Sequence, residues 1–185
     1  ISGFFGSGKS HFLKILSYLL ENKEVGGKKA IDYFVDDNKI SDQMVLADMK
    51  LAGTIPTDVV LFNIDSKSEV NGKQSKVAIV SVLQNVFNEM QGFSGSNPFL
   101  ADLERKLTEE GKYNLFKEKF EDSFGSAWEE SRSDFDFIQD DVVEVLDEIG
   151  FMSIEAGRNW CEKATGEYTY KVEDFAKLVK KYLDK

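Results

Sequence analysis

Eight residues near the start, Gly3-Phe4-Phe5-Gly6-Ser7-Gly8-Lys9-Ser10, constrain this chain more than any others. They fit G-x-x-x-x-G-K-[ST], the pattern of a phosphate-binding loop. Glycines at those places let the main chain take φ > 0 and close on an anion with no Cβ in the way. The amides from Gly6 through Ser10 can then point inward as an anion nest. Lys9 is expected to reach the terminal phosphate oxygens and the Ser10 hydroxyl to complete a Mg²⁺ shell. A helix has to begin where such a loop ends, so that its unpaired N–H groups and its dipole face the anion. His11-Phe12-Leu13-Lys14-Ile15-Leu16-Ser17-Tyr18-Leu19-Leu20-Glu21 supplies one, free of Gly and Pro and rich in helix formers. The candidate nucleotide-binding residues are therefore Gly3, Gly6, Ser7, Gly8, Lys9, Ser10 and His11. Lys9 doubles as the catalytic candidate and Ser10 as the metal ligand.

A phosphate-binding loop ordinarily follows a buried parallel strand. Here only Ile1 and Ser2 precede Gly3, so the chain is read as a fragment whose first strand lies upstream. The clearest strand of its own is Asp58-Val59-Val60-Leu61-Phe62-Asn63-Ile64-Asp65, a β-branched and aromatic run suited to burial on both faces of a parallel sheet. Asp65, at its end, invites comparison with a magnesium-holding carboxylate, but Ser66 follows where a hydrolytic Glu is common. It is read as the start of a polar loop.

Helices account for the rest. One is expected over 30–36 and another over 42–51, with Ser41 as N-cap and Gly53 as C-cap. Residues 75–90 carry Val80, Leu83, Phe87 and Met90 on one face. Gly92-Phe93-Ser94-Gly95-Ser96 is small and flexible, the best boundary in the chain. Beyond it, Asn97 caps Pro98 at the first position of a helix carrying Leu100, Leu103 and Leu107 as far as Gly111. Leu115, Phe116, Phe120 and Phe124 mark a second. Phe135, Ile138, Val142, Val145, Leu146 and Ile149 line a third, ended by Gly150. Ser153 caps a fourth through Trp160 and Cys161. Val172, Phe175, Leu178, Val179 and Tyr182 line the last. The fold expected is α/β: residues 1–92 as part of a P-loop NTPase core, a parallel sheet with its first strand and Walker B strand missing or truncated. Residues 93–185 follow as an acidic, mostly α-helical insertion.

Charge divides unevenly. Residues 1–92 hold 10 Lys/Arg against 11 Asp/Glu, a balance of −1, and residues 93–185 hold 13 against 22, a balance of −9. An acidic surface repels phosphate backbones, and its Phe and Trp residues interleave with carboxylates, so no nucleic-acid groove is expected there. Hydrophobic residues make up 42% of the chain and charged ones 30%, the balance of a globular protein. No apolar run nears the ~18 residues of a membrane span. The single Cys161 permits no disulfide within the chain and fits a reducing cytosol. Asp134, Asp136, Asp140 and Asp141 lack the spacing and glycine of a Ca²⁺ loop and read as a solvated face. Only Arg105, Arg132 and Arg158 lie beyond residue 92. That is too few for the Arg-rich lid of a small-molecule kinase.

Beyond the bare motif, residues 3–20, Gly3-Phe4-Phe5-Gly6-Ser7-Gly8-Lys9-Ser10-His11-Phe12-Leu13-Lys14-Ile15-Leu16-Ser17-Tyr18-Leu19-Leu20, resemble the large P-loop protein of BREX phage-defence systems, the BrxC/PglY type. Residues 58–68 are similar to the strand that follows in that family. The resemblance implies a small piece of a cytoplasmic, AAA-like ATPase that binds ATP and Mg²⁺. It would work with other BREX components, a DNA methyltransferase among them, with room for an oligomer. It also implies that the Walker B Asp-Glu pair comes after a long helical insertion, beyond Lys185. The functional positions it carries over are Gly3, Gly6, Gly8, Lys9 and Ser10, and Asp65 inherits no catalytic role. The alternative is a nucleotide switch or scaffold that does not hydrolyse ATP, with the acidic helical half docking protein partners.

Overall fold

The computed structural model describes residue 4, residues 6–62 and residues 76–184. The chain falls into two compact units, Ile1–Asn63 and Ile64–Lys185.

In the first unit, α1 (Lys9–Glu21) leads into a hairpin of β1 (Glu24–Val25) and β2 (Lys28–Lys29), then α2 (Ala30–Asp36) and α3 (Gln43–Ala52). Asn22 organises the meeting of these helices. It ends α1 in the left-handed conformation, φ 45°, which asparagine tolerates better than most side chains. Its Nδ2 donates to the Gly53 carbonyl at 2.9 Å, and its Oδ1 accepts from the Ile31 amide at 3.1 Å. A Cβ on Gly53 would stand 2.8 Å from that Nδ2, so this approach needs glycine. Asp42, one residue later than expected, caps α3 by accepting from the Met44 and Val45 amides. Ile31 and Ser17 are buried here, whereas α3 buries nothing and Phe12, Leu13 and Leu16 of α1 remain exposed.

No parallel sheet is present among the described residues. Among the described residues the strands are β1 and β2 alone, antiparallel, with Glu24 opposite Lys29 and Val25 opposite Lys28. The α/β expectation is thereby overturned in favour of a mostly helical chain. The run Asp58-Val59-Val60-Leu61-Phe62 is not helical, but it joins no ladder, and Leu61 is 56% exposed. A continuous apolar run becomes a central strand only where neighbours pair both of its edges and cover both faces. No described strand stands beside it. Asn63, Ile64 and Asp65 lie outside the described residues.

The second unit holds α4 (Lys76–Met90), α5 (Pro98–Glu109), α6 (Tyr113–Phe124), the short α7 (Trp128–Ser131) and a 3₁₀ turn (Arg132–Phe137). These are followed by α8 (Gln139–Glu148), α9 (Ile154–Ala164) and α10 (Val172–Leu183). The caps fall largely where the sequence places them. Asn97 Oδ1 accepts from the Phe99 and Leu100 amides, and Ser153 Oγ accepts from the Ala156 amide. The apolar stripes of α5 to α9 meet in one core around Trp128, whose ring stands edge-on to Phe116 and Phe120 at 5.1 and 5.3 Å between centroids. The expected helix from Phe135 to Ile149 is instead broken: Ile138, at φ −113° and ψ 17°, separates the 3₁₀ turn from α8. Phe135 reaches the core on one side of the break and Val142 on the other, while Phe137 is 91% exposed. Residues 92–96, expected to be a flexible boundary, are pinned: Phe93 and Ser94 are buried, with Phe93 edge-on to Tyr113.

Candidate functional site

The loop before α1 has the backbone its sequence calls for. Gly6 and Gly8 take φ of 78° and 80°, where any side chain is strained although a Cβ would meet no neighbouring atom within 4 Å at either position. The Ser7 amide donates to the Phe4 carbonyl at 3.2 Å, closing a turn, and α1 starts at Lys9, two residues before the expected His11. Gly8 is the N-cap and offers no side-chain acceptor, and the first turn of α1 holds no acidic residue. Neither the cap nor the first turn of this thirteen-residue helix therefore supplies a side-chain anion to its N–H groups and positive dipole end.

Lys9 turns back over the loop. Its Nζ donates to the Phe4 carbonyl at 2.6 Å and to Ser7 Oγ at 3.2 Å. A cation at the amino end of a helix is opposed by the dipole, so Lys9 works against α1 while serving an anion placed at its start. Ser10 and His11 are exposed on the first turn. Thus Gly6, Ser7, Gly8, Lys9, Ser10 and His11 stand together at one end of α1, while Gly3 lies outside the described residues. These groups fit a phosphate chain: two unobstructed left-handed glycines, a helix start with no acidic residue in its first turn, and an ammonium that reaches back over the loop to the Phe4 carbonyl and the Ser7 hydroxyl. Ser10 Oγ is the hydroxyl that could hold Mg²⁺.

The sequence reading misses the tightest polar cluster of the second unit. Glu104 is fully buried. Its Oε1 accepts from Trp128 Nε1 at 2.8 Å, Tyr113 OH at 3.0 Å and an Arg132 guanidinium N–H at 2.7 Å. Its Oε2 accepts from the Ser94 amide at 2.6 Å. Arg132 also donates to the Gly92 carbonyl. Burial, and then the Glu104 charge, push the Tyr113 hydroxyl pKa up, so it stays a donor. One signal was available: Glu104 lies four residues after Leu100 and three before Leu107, on the apolar stripe of α5. Every oxygen of this carboxylate is committed to the protein's own donors, which makes it a cross-link between helices rather than a ligand site.

Cys161 is buried, and burial, with Asp140 adding to it, pushes its thiol up to about 11. That is the opposite of an activated nucleophile. No helix among the described residues is long and apolar enough to cross a membrane. No family model matches the chain, and no solved structure matches it.

Proposed function

We propose that this chain binds ATP·Mg²⁺ through residues 3–11 and is the ATP-binding part of a BREX-type anti-phage ATPase acting in the cytoplasm with other BREX proteins. The observation that carries the nucleotide reading is the pair of left-handed glycines feeding an uncapped, acid-free helix start with Lys9 folded over it. Main-chain amides and an ammonium gathered at one point recognise phosphate oxygens. On binding, Lys9 turns from the Phe4 carbonyl and the Ser7 hydroxyl to phosphate oxygens, and an ammonium bonds an anionic oxygen more strongly than a neutral one. Lys9 then stabilises charge on the transferring phosphoryl group, and Ser10 holds the metal. The BREX assignment rests on residues 3–20 and 58–68.

Equilibrium binding of a fluorescent ATP analogue in Mg²⁺ tests the reading. Saturable binding that unlabelled ATP displaces, and that Lys9→Ala weakens at least tenfold, supports it. Binding unaffected by Lys9→Ala, or none at all, contradicts it. A second reading, a nucleotide switch whose acidic half docks partners, draws on the separate core of the acidic helices. Phosphate release that is lost in Lys9→Ala favours the ATPase. Partner assembly that needs Lys9 without any turnover favours the switch.

A further inference from the structure

Helix α10 is attached to the second unit in a different way from the helices that build its core. That core draws on α5 through α9 and on neither α4 nor α10. α10 carries the stripe Phe175, Leu178, Val179 and Tyr182, yet none of its residues is buried. It rests on α4 where Phe87 stands edge-on to the rings of Phe175 and Tyr182, at 5.8 and 5.5 Å between centroids. On α5, Glu109 accepts from Lys181 Nζ at 2.7 Å.

The segment leading into α10 is held chiefly by hydrogen bonds of its two phenols, with the Tyr168 ring also edge-on to Phe99 of α5 at 5.0 Å between centroids. Tyr168 OH donates to Asp102 Oδ2 at 3.2 Å and accepts from Gln84 Nε2 at 3.1 Å. Tyr170 OH donates to Asn85 Oδ1 at 3.3 Å. One turn beyond Gln84 on α4, Asn88 is fully buried; its Oδ1 accepts from Arg105 at 2.6 Å, while its Nδ2 finds no acceptor among the described residues. Opening an attachment of this kind chiefly exchanges protein hydrogen bonds for water ones at small net cost, whereas opening the Trp128 core exposes apolar surface. Attachments of the first kind belong to the low-stability end of a structure.

We propose that residues 167–183 form a strap that lifts from α4 and α5 as one unit while α5 to α9 stay folded, uncovering Phe87 and the Gln84–Asn88 face of α4. Native-state hydrogen exchange on the whole chain tests it. The expected result is uniform exchange across Val172–Leu183, at least tenfold faster than across Gln139–Glu148 and with a weaker dependence on denaturant. Phe87→Ala should speed exchange in α10 a further several-fold and leave α8 unchanged, and the milder Tyr168→Phe should act in the same direction. Equal protection of α10 and α8 would overturn the proposal. So would exchange graded inward from Leu183, as in simple fraying, or variants that accelerate α8 and α10 by the same factor.

Discussion

Glu104 shows what one side chain can do when all its partners are donors. A carboxylate with no exposed surface is tolerable because an arginine, an indole, a phenol and a main-chain amide share its charge. Glu104→Ala strands all four donors, one of them a cation, and should cost about 3–5 kcal/mol of stability by denaturant unfolding. A loss below about 1 kcal/mol would mean that the cluster is ornamental. Cys161 gives a pH signature. Its thiol is raised to about 11 in the folded protein, against about 8.5 in an unfolded chain. The folded state thus holds the proton more firmly, and this contribution is fully present below pH ~8.5 and lost as pH rises through 11. Unfolding midpoints should fall over that window less in Cys161→Ala than in the parent, and a thiol reagent should label the native protein slowly at neutral pH. Asp102 follows the same sign at the acid end. Burial raises its pKa against the opposing pull of Arg105 and Tyr168. Its contribution is therefore present below the unfolded value near 4 and lost as pH rises through the raised folded one. Asp102→Asn should flatten the stability curve there.

Elements were legible in the sequence where their signals are local. Asn97-Pro98, Ser153 and Gly53 mark helix ends with groups that act within a turn, and the structure uses each of them. Gly6 and Gly8 likewise take the left-handed conformations that their spacing leads one to expect. What depends on distant partners was not legible. Residues 58–62 have a strand's composition but lie in no ladder, because composition cannot supply a neighbouring strand. The stripe from Phe135 to Ile149 has helical spacing, yet the chain breaks at Ile138. Arg132 is tied to Glu104 and Gly92, and Phe135 is packed on Trp160, so both hold the preceding turn in place. Gly157 was equally silent. In α9 it lies so close to α8 that a Cβ would come within 2.9 Å of Val143 Cγ1. Gly157→Leu should destabilise by about 1–3 kcal/mol or more despite its better helix propensity. Val143→Ala in the same chain should recover part of that loss, a coupling that a double-mutant cycle reads directly. Strict additivity would place the cause elsewhere.

At the scale of the whole molecule, the two units contrast. Ile64–Lys185 has a continuous aromatic and aliphatic core, whereas Ile1–Asn63 buries Ile31 and Ser17 among its described residues and relies on the hydrogen bonds of Asn22. The residues proposed to bind phosphate stand on the more weakly cored unit, at the start of α1. Lys9 stands at the end of α1 where the helix dipole opposes a cation, so its removal should alter the stability of the nucleotide-free protein by no more than about 0.5 kcal/mol. That separates binding from folding. The most direct test is thermal unfolding of the chain and of Lys9→Ala, each with and without ATP·Mg²⁺ at about one hundred times its dissociation constant. The expected result is an added stability of about 2.7 kcal/mol, a rise of roughly 5–10 °C in the parent alone, with both proteins melting together when nucleotide is absent. An unchanged midpoint in the parent, or an equal rise in Lys9→Ala, would contradict a phosphate site at the start of α1.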